Sequence, residues 1–471
     1  MKLNAFDLWR RLQFLWLGVC CVLFAGCGQN SSIPSGPHSP VPTSSTASGS
    51  QQQTTALSPP AEQLLPADYR GIDESDGRRN DPPSSPLAPA FPPHMPGQST
   101  LPELEATASS RFACDLFASL RKSHAGNLFY SPANVRSALM LAYEGARGET
   151  AAQLARVLGI DSENKEVPGS PGQETQPTGP RSPATILVTA NRIWPNQSEP
   201  IRTDYAERMK ARFAADIVPL DFLHQSDAAR QTINNWTAEQ TRDRIRDLLQ
   251  PGTVDASTRM VLTSAIYFKA DWFSPFEKTQ TENAPFFVSA TEQVETPMMQ
   301  QELSLPYIPL PGAQVVEVPY ADARHSMLIL LPDQPEGLAE WEARLTADQL
   351  ANWTRNMHER QVRLSLPRFT MTVATSLAPT LKSLGINAAF QPDADFSGMT
   401  DAPGIFLADV VHKAFVSVDE QGTEAAAATA LTMMRGPANL VIFRADRPFL
   451  FLIRDQATNE VLFVGRMSRP E

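Results

Sequence analysis

The chain has 471 residues, 42% of them hydrophobic, which is enough for a large core in one domain of several hundred residues. Its formal net charge of −11 argues against a general nucleic-acid binder, because phosphate contacts require clustered Lys and Arg. A net charge of this size is also explained by the solubility of the protein alone.

Residues 1–27 are predicted to be a targeting segment. An Arg pair at 10–11 precedes an apolar run over 14–25, which is too short to span a membrane comfortably and is typical of a signal peptide. The stretch 23–27 reads Leu-Phe-Ala-Gly-Cys and resembles the cleavage box of bacterial lipoproteins, with Phe where Leu is usual. We therefore expect lipidation of Cys27 and an exported protein at the cell envelope or cell surface. The alternatives are an ordinary signal peptide, which gives a secreted, extracellular protein, and an uncleaved anchor.

Two further segments are poor in apolar residues. Residues 28–105 hold more than a third of the chain's 41 Pro, together with Ser, Thr and Gln runs, and are predicted to be a disordered linker. Behind a membrane anchor, such a Pro-rich segment extends and lifts the domain off the surface. The folded domain is expected over 106–471, with a low-complexity insert at 161–183.

The domain contains one cysteine. The other three, Cys20, Cys21 and Cys27, lie in the targeting segment, so no disulfide within the chain is expected. Cys114 lies in a helical pattern over 112–120. We interpret it as a buried small apolar side chain rather than a reactive thiol.

Helices dominate the first half of the domain and strands dominate the second. We predict helices over 106–122, 131–144, 149–158, 205–213, 227–249, 338–351 and 376–384. We predict strands over 186–193, 216–222 and 261–268, followed by several strand pairs. This order predicts a mixed α/β (α+β) fold.

Residues for catalysis and metal binding are not grouped in the domain. Its histidines show no zinc-type spacing, so no metal site or cofactor is expected; they are His124, His224, His325, His358 and His412. No Gly-x-Ser-x-Gly motif and no phosphate-binding Gly loop occurs, and we expect that the protein is not an enzyme. A secreted hydrolase therefore lacks a nucleophile–base pair. A surface adhesin or binding module fits the tether but explains none of the motifs below.

The stretch 419–429 reads Asp-Glu-Gln-Gly-Thr-Glu-Ala-Ala-Ala-Ala-Thr and follows a strand-like pattern over 412–418. With a period of two, the face that begins at Thr423 is small and uncharged, so it could join a sheet without burying a charge. Composition alone favours an Ala-rich helix end or a loop instead, because Ala is the best helix former.

Several motifs in this order resemble the serpins, the serine protease inhibitor family. The run 419–429 resembles the family's reactive-loop hinge, and 443–451 (FRADRPFLF) resembles its carboxy-terminal signature. The other matching motifs are 127–132 (NLFYSP), 145–150 (GARGET), 233–236 (INNW), 265–269 (AIYFK) with Trp272, and 366–369 (LPRF).

This resemblance implies a fold with about nine helices, one large sheet, two smaller sheets and an exposed reactive loop near the carboxy terminus. It also implies a suicide-substrate inhibitor of serine proteases, or of cysteine proteases of similar geometry. The loop would insert into the main sheet after the acyl-enzyme forms, and a monomer would be joined covalently to its protease. The hinge would consist of Glu420, Gly422, Thr423, Glu424, Ala425, Ala426, Ala427 and Ala428. The alternative is a non-inhibitory serpin with a binding or chaperone role at the cell surface, which commonly carries bulky, charged or Pro residues in the hinge.

By the same resemblance, a polar region that controls sheet opening maps onto this chain. It comprises Ser131, Asn134, Ser264 and His412, with Asn134 where Ser is usual and Ser264 where Asn is usual. The two exchanged residues are expected to have swapped hydrogen-bonding roles; alternatively, each satisfies a local buried backbone group. Trp272 and Glu420 match the point where the inserting strand enters, although core packing alone would also account for a Trp.

The reactive bond is predicted between Arg435 and Gly436. The usual loop length, counted from Glu420, places the cut after Gly436, but Pro437 would then follow it and most serine proteases reject Pro there. Arg435 offers a cation for an acidic specificity pocket, so trypsin-like targets are expected. The competing bond, Met434–Arg435, would direct the protein to elastase- or chymotrypsin-like enzymes.

Overall fold

The computed structural model describes residues 107–160, 185–423 and 439–470. The predicted targeting segment, linker and low-complexity insert lie outside the described residues. Within the described part, no helix is long and apolar enough to span a membrane.

The described residues contain eight α-helices. They are α1 (Ala108–Ser123), α2 (Pro132–Gly145), α3 (Gly148–Leu158), α4 (Thr203–Phe213), α5 (Phe222–Gln240), α6 (Leu338–Arg344), α7 (Ala347–Asn356) and α8 (Ala378–Ser383). Helix α1 begins where the Thr107 side chain accepts a hydrogen bond from the backbone of Ser110. Ser131 caps α2 in the same way, with Pro132 at the first helical position.

The strands form two hydrogen-bonded sheets in this part of the chain. They are β1 (Leu128–Tyr130), β2 (Ile186–Pro195), β3 (Met260–Asp271), β4 (Glu282–Phe287), β5 (Gln293–Leu310), β6 (Ala313–Pro319), β7 (His325–Pro332), β8 (His358–Pro367), β9 (Phe369–Ser376), β10 (Asp409–Val418), β11 (Gly422–Thr423), β12 (Val441–Arg444), β13 (Phe449–Asp455) and β14 (Glu460–Met467).

The five-stranded sheet, called the main sheet below, consists of four long strands in the order β2-β3-β10-β9 and the short strand β11. Strand β3 pairs antiparallel with β2 and parallel with β10, and β10 pairs antiparallel with β9. The two-residue β11 pairs antiparallel with the end of β3. The main sheet therefore holds one parallel contact, between β3 and β10, in its centre.

The nine-stranded sheet has the order β1-β14-β13-β7-β6-β5-β8-β12, with β4 also on β5. The 18-residue β5 pairs with β4 and β8 along most of its length and with β6 over 307–310. Because one continuous strand serves both groups, the two smaller sheets expected from the resemblance are hydrogen-bonded into one.

The two sheets pack face to face through an apolar cluster. Ile266 and Phe268 of β3 and Val416 of β10 point into this cluster, together with Phe451 and Phe463 of the other sheet. The alternate residues of β3 and β10 face the opposite side of the main sheet, as the period of a strand requires. There Tyr267 and Phe415 pack with Ile245, which follows α5.

Three element predictions were wrong in detail. The segment 216–222 is not a strand, because it makes only an isolated bridge from Leu220 to Asn196. The Asp221 side chain then caps α5, which ends at Gln240 rather than at 249. The helix predicted over 338–351 is split into α6 and α7, because Thr346 is extended and caps the second helix.

The mixed α/β fold predicted from the order of elements is confirmed, with eight α-helices in the described residues where about nine were expected. Cys114 is 6% exposed and packs in the core around α1. Burial raises the pKa of its thiol to about 12, so it is uncharged at neutral pH. This agrees with the interpretation of Cys114 as a buried apolar side chain.

Candidate functional site

The parallel contact between β3 and β10 is the feature on which the predicted site residues converge. It runs from Val261 opposite Asp409 to Tyr267 opposite Phe415. We call this contact the seam. A strand inserted into the main sheet at this place would have to separate β3 from β10.

The short strand β11 lies on the edge of β3 that also pairs with β10. Backbone groups of alternate residues in a strand point to the same edge. The Met260 carbonyl accepts from the backbone of Ala408, just before β10, and the Trp272 backbone N–H donates to Gln421 at 2.7 Å. Met260 begins β3 and Trp272 directly follows its last residue, and the two positions are an even number of residues apart, so the residues leading into β11 lie at the end of the seam. Strand β11 is antiparallel to β3 and therefore also to β10.

A tight turn connects β10 to β11. The Asp419 backbone N–H donates to the Gly422 carbonyl at 2.8 Å, and the Asp419 carboxylate accepts from the backbone of Gln421 and Gly422. Gly422 approaches β3 so closely that an added Cβ would clash with the Ala270 carbonyl oxygen. Glycine is therefore required for this docked position of the chain.

Thr423 is fully buried at the end of the turn. Its hydroxyl lies 3.1 Å from the hydroxyl of Tyr320. The Tyr320 ring stacks on Trp272, with centroids 4.7 Å apart, and the Trp272 indole N–H donates to the Asp419 carbonyl at 3.0 Å. Trp272 and Tyr320 thus form the wall against which the start of the predicted loop is docked.

Glu420 is held at the outer side of this turn. Its side chain accepts a hydrogen bond from Thr281 at 2.9 Å and lies 3.8 Å from the Arg368 guanidinium. Its carbonyl accepts from the Phe276 backbone N–H at 2.6 Å. Glu420, the first hinge residue, is therefore anchored to the chain that follows β3 and to Arg368, which directly precedes β9.

The four residues predicted to control sheet opening meet in one buried network at the middle of the seam. Each is at most 1% exposed. Ser131 donates to the Leu462 carbonyl at 2.6 Å, and its backbone N–H donates to His412 Nε2 at 3.0 Å. Asn134 Nδ2 donates to Ser264 Oγ at 2.9 Å and to the Ala265 carbonyl at 3.2 Å. The network joins α2 to both strands of the seam.

His412 is a neutral ring in this network. Burial lowers the pKa of His412 to about 3. Because Nε2 accepts from Ser131, the proton of the neutral ring is on Nδ1, which donates to Ser264 Oγ at 3.0 Å. Ser264 therefore accepts from Asn134 on one side and from His412 on the other, and links β10 to α2 across β3.

Sequence reasoning missed two residues of the site. Asn191 on β2 donates to the Asn134 side-chain oxygen at 2.8 Å, which extends the network to a third strand. The Asn191 side-chain amide lies within the strand pattern 186–193, which indicates a buried polar position. Its hydrogen-bond partner could not be predicted, because that partner depends on the tertiary fold. Tyr320, which contacts Thr423, follows β6 and carries no motif.

The remaining predicted site residues lie outside the described residues. They are Cys27, the hinge positions Glu424, Ala425, Ala426, Ala427 and Ala428, and the reactive-bond residues Met434, Arg435 and Gly436.

The comparison with protein families decides the identity. A family model described as Serpin (serine protease inhibitor) matches residues 107–470. The chain belongs to the serpin family. Serpin B6 of Macaca fascicularis is 40% identical to this serpin over 373 residues, which cover 78% of this chain and 99% of the relative. The human leukocyte elastase inhibitor is 38% identical over 379 residues, with the same coverage.

Solved structures give the same fold. Uncleaved ovalbumin superposes with a TM-score of 0.70 at 32% identity and covers 78% of this chain and 99% of its own. Serpin48 of the insect Tenebrio molitor has a TM-score of 0.69 at 28% identity and covers 80% of this chain and 100% of its own. The serpin fold implied by the sequence motifs is therefore confirmed.

Proposed function

We propose that this serpin inhibits trypsin-like serine proteases by suicide-substrate trapping. The observation that carries the proposal is the docked strand β11. Gly422 and Thr423 already pair with the end of β3, antiparallel to both strands of the seam. A strand that grows from β11 between β3 and β10 would be antiparallel to both neighbours, and antiparallel pairs are the slightly more stable kind.

The residue types of the hinge support insertion. With a period of two, the face that begins at Thr423 continues through Ala425 and Ala427, all small and uncharged. The only charged residue within 423–434, Glu424, falls on the other face. Insertion of this segment would therefore bury no charge on the inward face and would meet little steric resistance.

Trapping is a competition between two rates. A protease attacks the loop as substrate and forms an ester between its serine and the carbonyl of the bond that is cut. If the loop inserts before water reaches that ester, the attached protease is carried away from its working geometry. The intact protein is then a kinetically trapped state, and sheet completion supplies the driving force.

Arg435 is the proposed residue before the cut. The purified serpin mixed with trypsin should give a covalent complex that survives boiling in detergent, and the released carboxy-terminal peptide should begin at Gly436 by mass spectrometry. A peptide that begins at Arg435 would instead favour elastase- or chymotrypsin-like targets. A peptide that begins at Met434 or Pro437 would contradict the assignment of Arg435 as the residue before the cut. No covalent complex with any of a panel of serine and cysteine proteases would contradict inhibition and favour a binding or chaperone role.

The proposed location is the cell envelope or surface, through lipid on Cys27. Residues 28–105 would then act as the tether that lets the domain reach a protease. Replacement Cys27→Ser should move the protein from the membrane fraction to the soluble exported fraction. A wild-type protein that is already soluble would contradict the anchor and leave the proposed inhibition unaffected.

A further inference from the structure

A cavity of about 540 Å3 lies beside the hinge turn. Lys278 and Thr281, from the chain that follows β3, line one side of it. Arg368 and residues of β9 and β10 line the other. The strand residues are Thr370 of β9 and Ser417 of β10; Asp419 and Glu420 of the turn after β10 and Pro297 complete the wall. The cavity therefore lies across the outer end of the seam.

The acidic groups of the cavity are already engaged. The Asp419 carboxylate accepts from the backbone of Gln421 and Gly422 at 2.9 and 3.2 Å. One oxygen of Glu420 accepts from Thr281 at 2.9 Å. The Asp419 carboxylate thus holds the turn, and one oxygen of the Glu420 carboxylate is occupied by Thr281.

Donors remain free in the same cavity. The Arg368 guanidinium makes one loose ion pair, 3.8 Å from Glu420, which is too long for a hydrogen bond. Lys278 is exposed and has no ion pair among the described residues. The hydroxyls of Thr370 and Ser417 share one hydrogen bond of 2.9 Å, so one hydroxyl proton is left to donate.

We propose that this cavity binds a small dianion with carboxylate or sulfate groups, and that the bound anion bridges the two sides of the seam. The size of the cavity suits a small organic ligand. Arg and Lys are the side chains that recognise such oxyanions, Arg in a bidentate way. An anion held by Lys278 on the β3 side and by Arg368 on the β9 side must be released before β3 and β10 can separate.

The bridge would regulate loop insertion, and this last step rests on the proposed inhibitory function. An anion that binds only the closed sheet lowers the open fraction by a factor of 1 plus its concentration over its Kd. At ten times its Kd, opening becomes about tenfold less frequent. More acyl-enzyme would then hydrolyse for each protease trapped.

Inorganic sulfate and succinate test the site, at constant ionic strength set with NaCl. Either dianion should raise the Tm of the wild-type protein by about 3 °C near saturation. A comparison of the Tm rise with sulfate and the Tm rise with succinate distinguishes a site for sulfate groups from a site for carboxylates. Lys278→Gln should lose the response. Lys122→Gln removes an exposed lysine from the end of α1, which lines no part of this cavity, and should keep the response. An equal rise in wild type and Lys278→Gln would overturn the site.

Hydrogen exchange tests the bridge without a protease. The backbone amides of β10 should exchange about tenfold more slowly at ten times the Kd of the bound dianion. Unchanged exchange beside a specific rise in Tm would overturn the bridge while keeping the site. If exchange slows and no protease complex ever forms, the anion site stands and the proposed inhibition fails.

Discussion

The middle and the end of the seam are held together in different ways. At the middle, Ser131, Asn134, Ser264 and His412 form a buried network in which each side chain has a partner. At the end, the contact consists of two docked residues, Gly422 and Thr423, an aromatic wall and an open cavity with a loosely paired Arg. Buried polar networks are costly to break halfway, whereas a docked strand end can lengthen one residue at a time. The difference predicts that the proposed insertion of the loop would begin at the hinge and would be resisted further along by the network.

The largest expected effect comes from a charge at the start of the inserting face. Thr423→Arg places a cation where the side chain is fully buried against Tyr320, at a cost of about a few kcal/mol. We expect the loop to be cut normally and the yield of covalent complex to fall at least about tenfold. Thr423→Ser, which keeps the hydroxyl, is the matched control. A wild-type yield from the Arg variant would show that the docked residue does not lead insertion.

The network should make stability depend on pH through His412. Its folded pKa, about 3, lies below the unfolded value of about 6.5, so the unfolded chain binds the proton first. The stabilisation is complete above the unfolded pKa. It is lost by up to about 1.4 kcal/mol for each pH unit as pH falls from about 6.5 towards 3.

Chemical unfolding at several pH values measures this slope. Replacement of the exposed His358 by Gln should leave it intact, whereas His412→Gln should flatten the segment between pH 6.5 and 4.5. A slope of the same size in the His412 variant would assign the dependence to carboxylates instead.

The exchanged pair Asn134 and Ser264 should behave as one unit. Asn134→Ser removes the donor to Ser264 and the acceptor for Asn191, and we expect a loss of about 2 kcal/mol in the free energy of unfolding. Ser264→Asn alone overpacks the site, at a cost of about 1–3 kcal/mol. In the double variant each side chain occupies the other's place, so a coupling energy of about 1 kcal/mol or more should be recovered. Additive losses would mean that each residue merely satisfies its own surroundings.

The smallest effect is expected from the hydroxyl that holds the docked Thr423. Tyr320→Phe keeps the stack on Trp272 and removes one hydrogen bond, worth about 1 kcal/mol. Backbone exchange at Gly422 and Thr423 should accelerate about fivefold. Tyr143→Phe, on a partly buried ring in the core around α2, is the control. Unchanged exchange would place the docking free energy in the backbone pairs alone.

The fold was predictable from the order of motifs, and the network from single residues within them. Ser131 and His412 could be placed because short motifs surround each of them. The sequence showed that Asn134 and Ser264 carry each other's usual residue types. The structure adds that the two side chains are joined by a direct hydrogen bond. Tyr320 and Asn191 could not be found, because their partners lie 103 and 57 residues away and no local pattern specifies those contacts. The end of α5 was missed for a related reason. The run after it keeps a helical pattern, yet Arg242, Asp243 and Asp247 adopt positive φ where Ile245 packs on the main sheet.

The most direct test of the account is the melting temperature after the reactive loop has been cut. If the segment that follows Thr423 becomes a full strand between β3 and β10, the cleaved wild-type protein should melt at least about 10 °C above the intact one. Cleaved Thr423→Arg should gain much less, because its first inward residue opposes insertion. Equal melting temperatures before and after cleavage of the wild-type loop would contradict insertion into the seam.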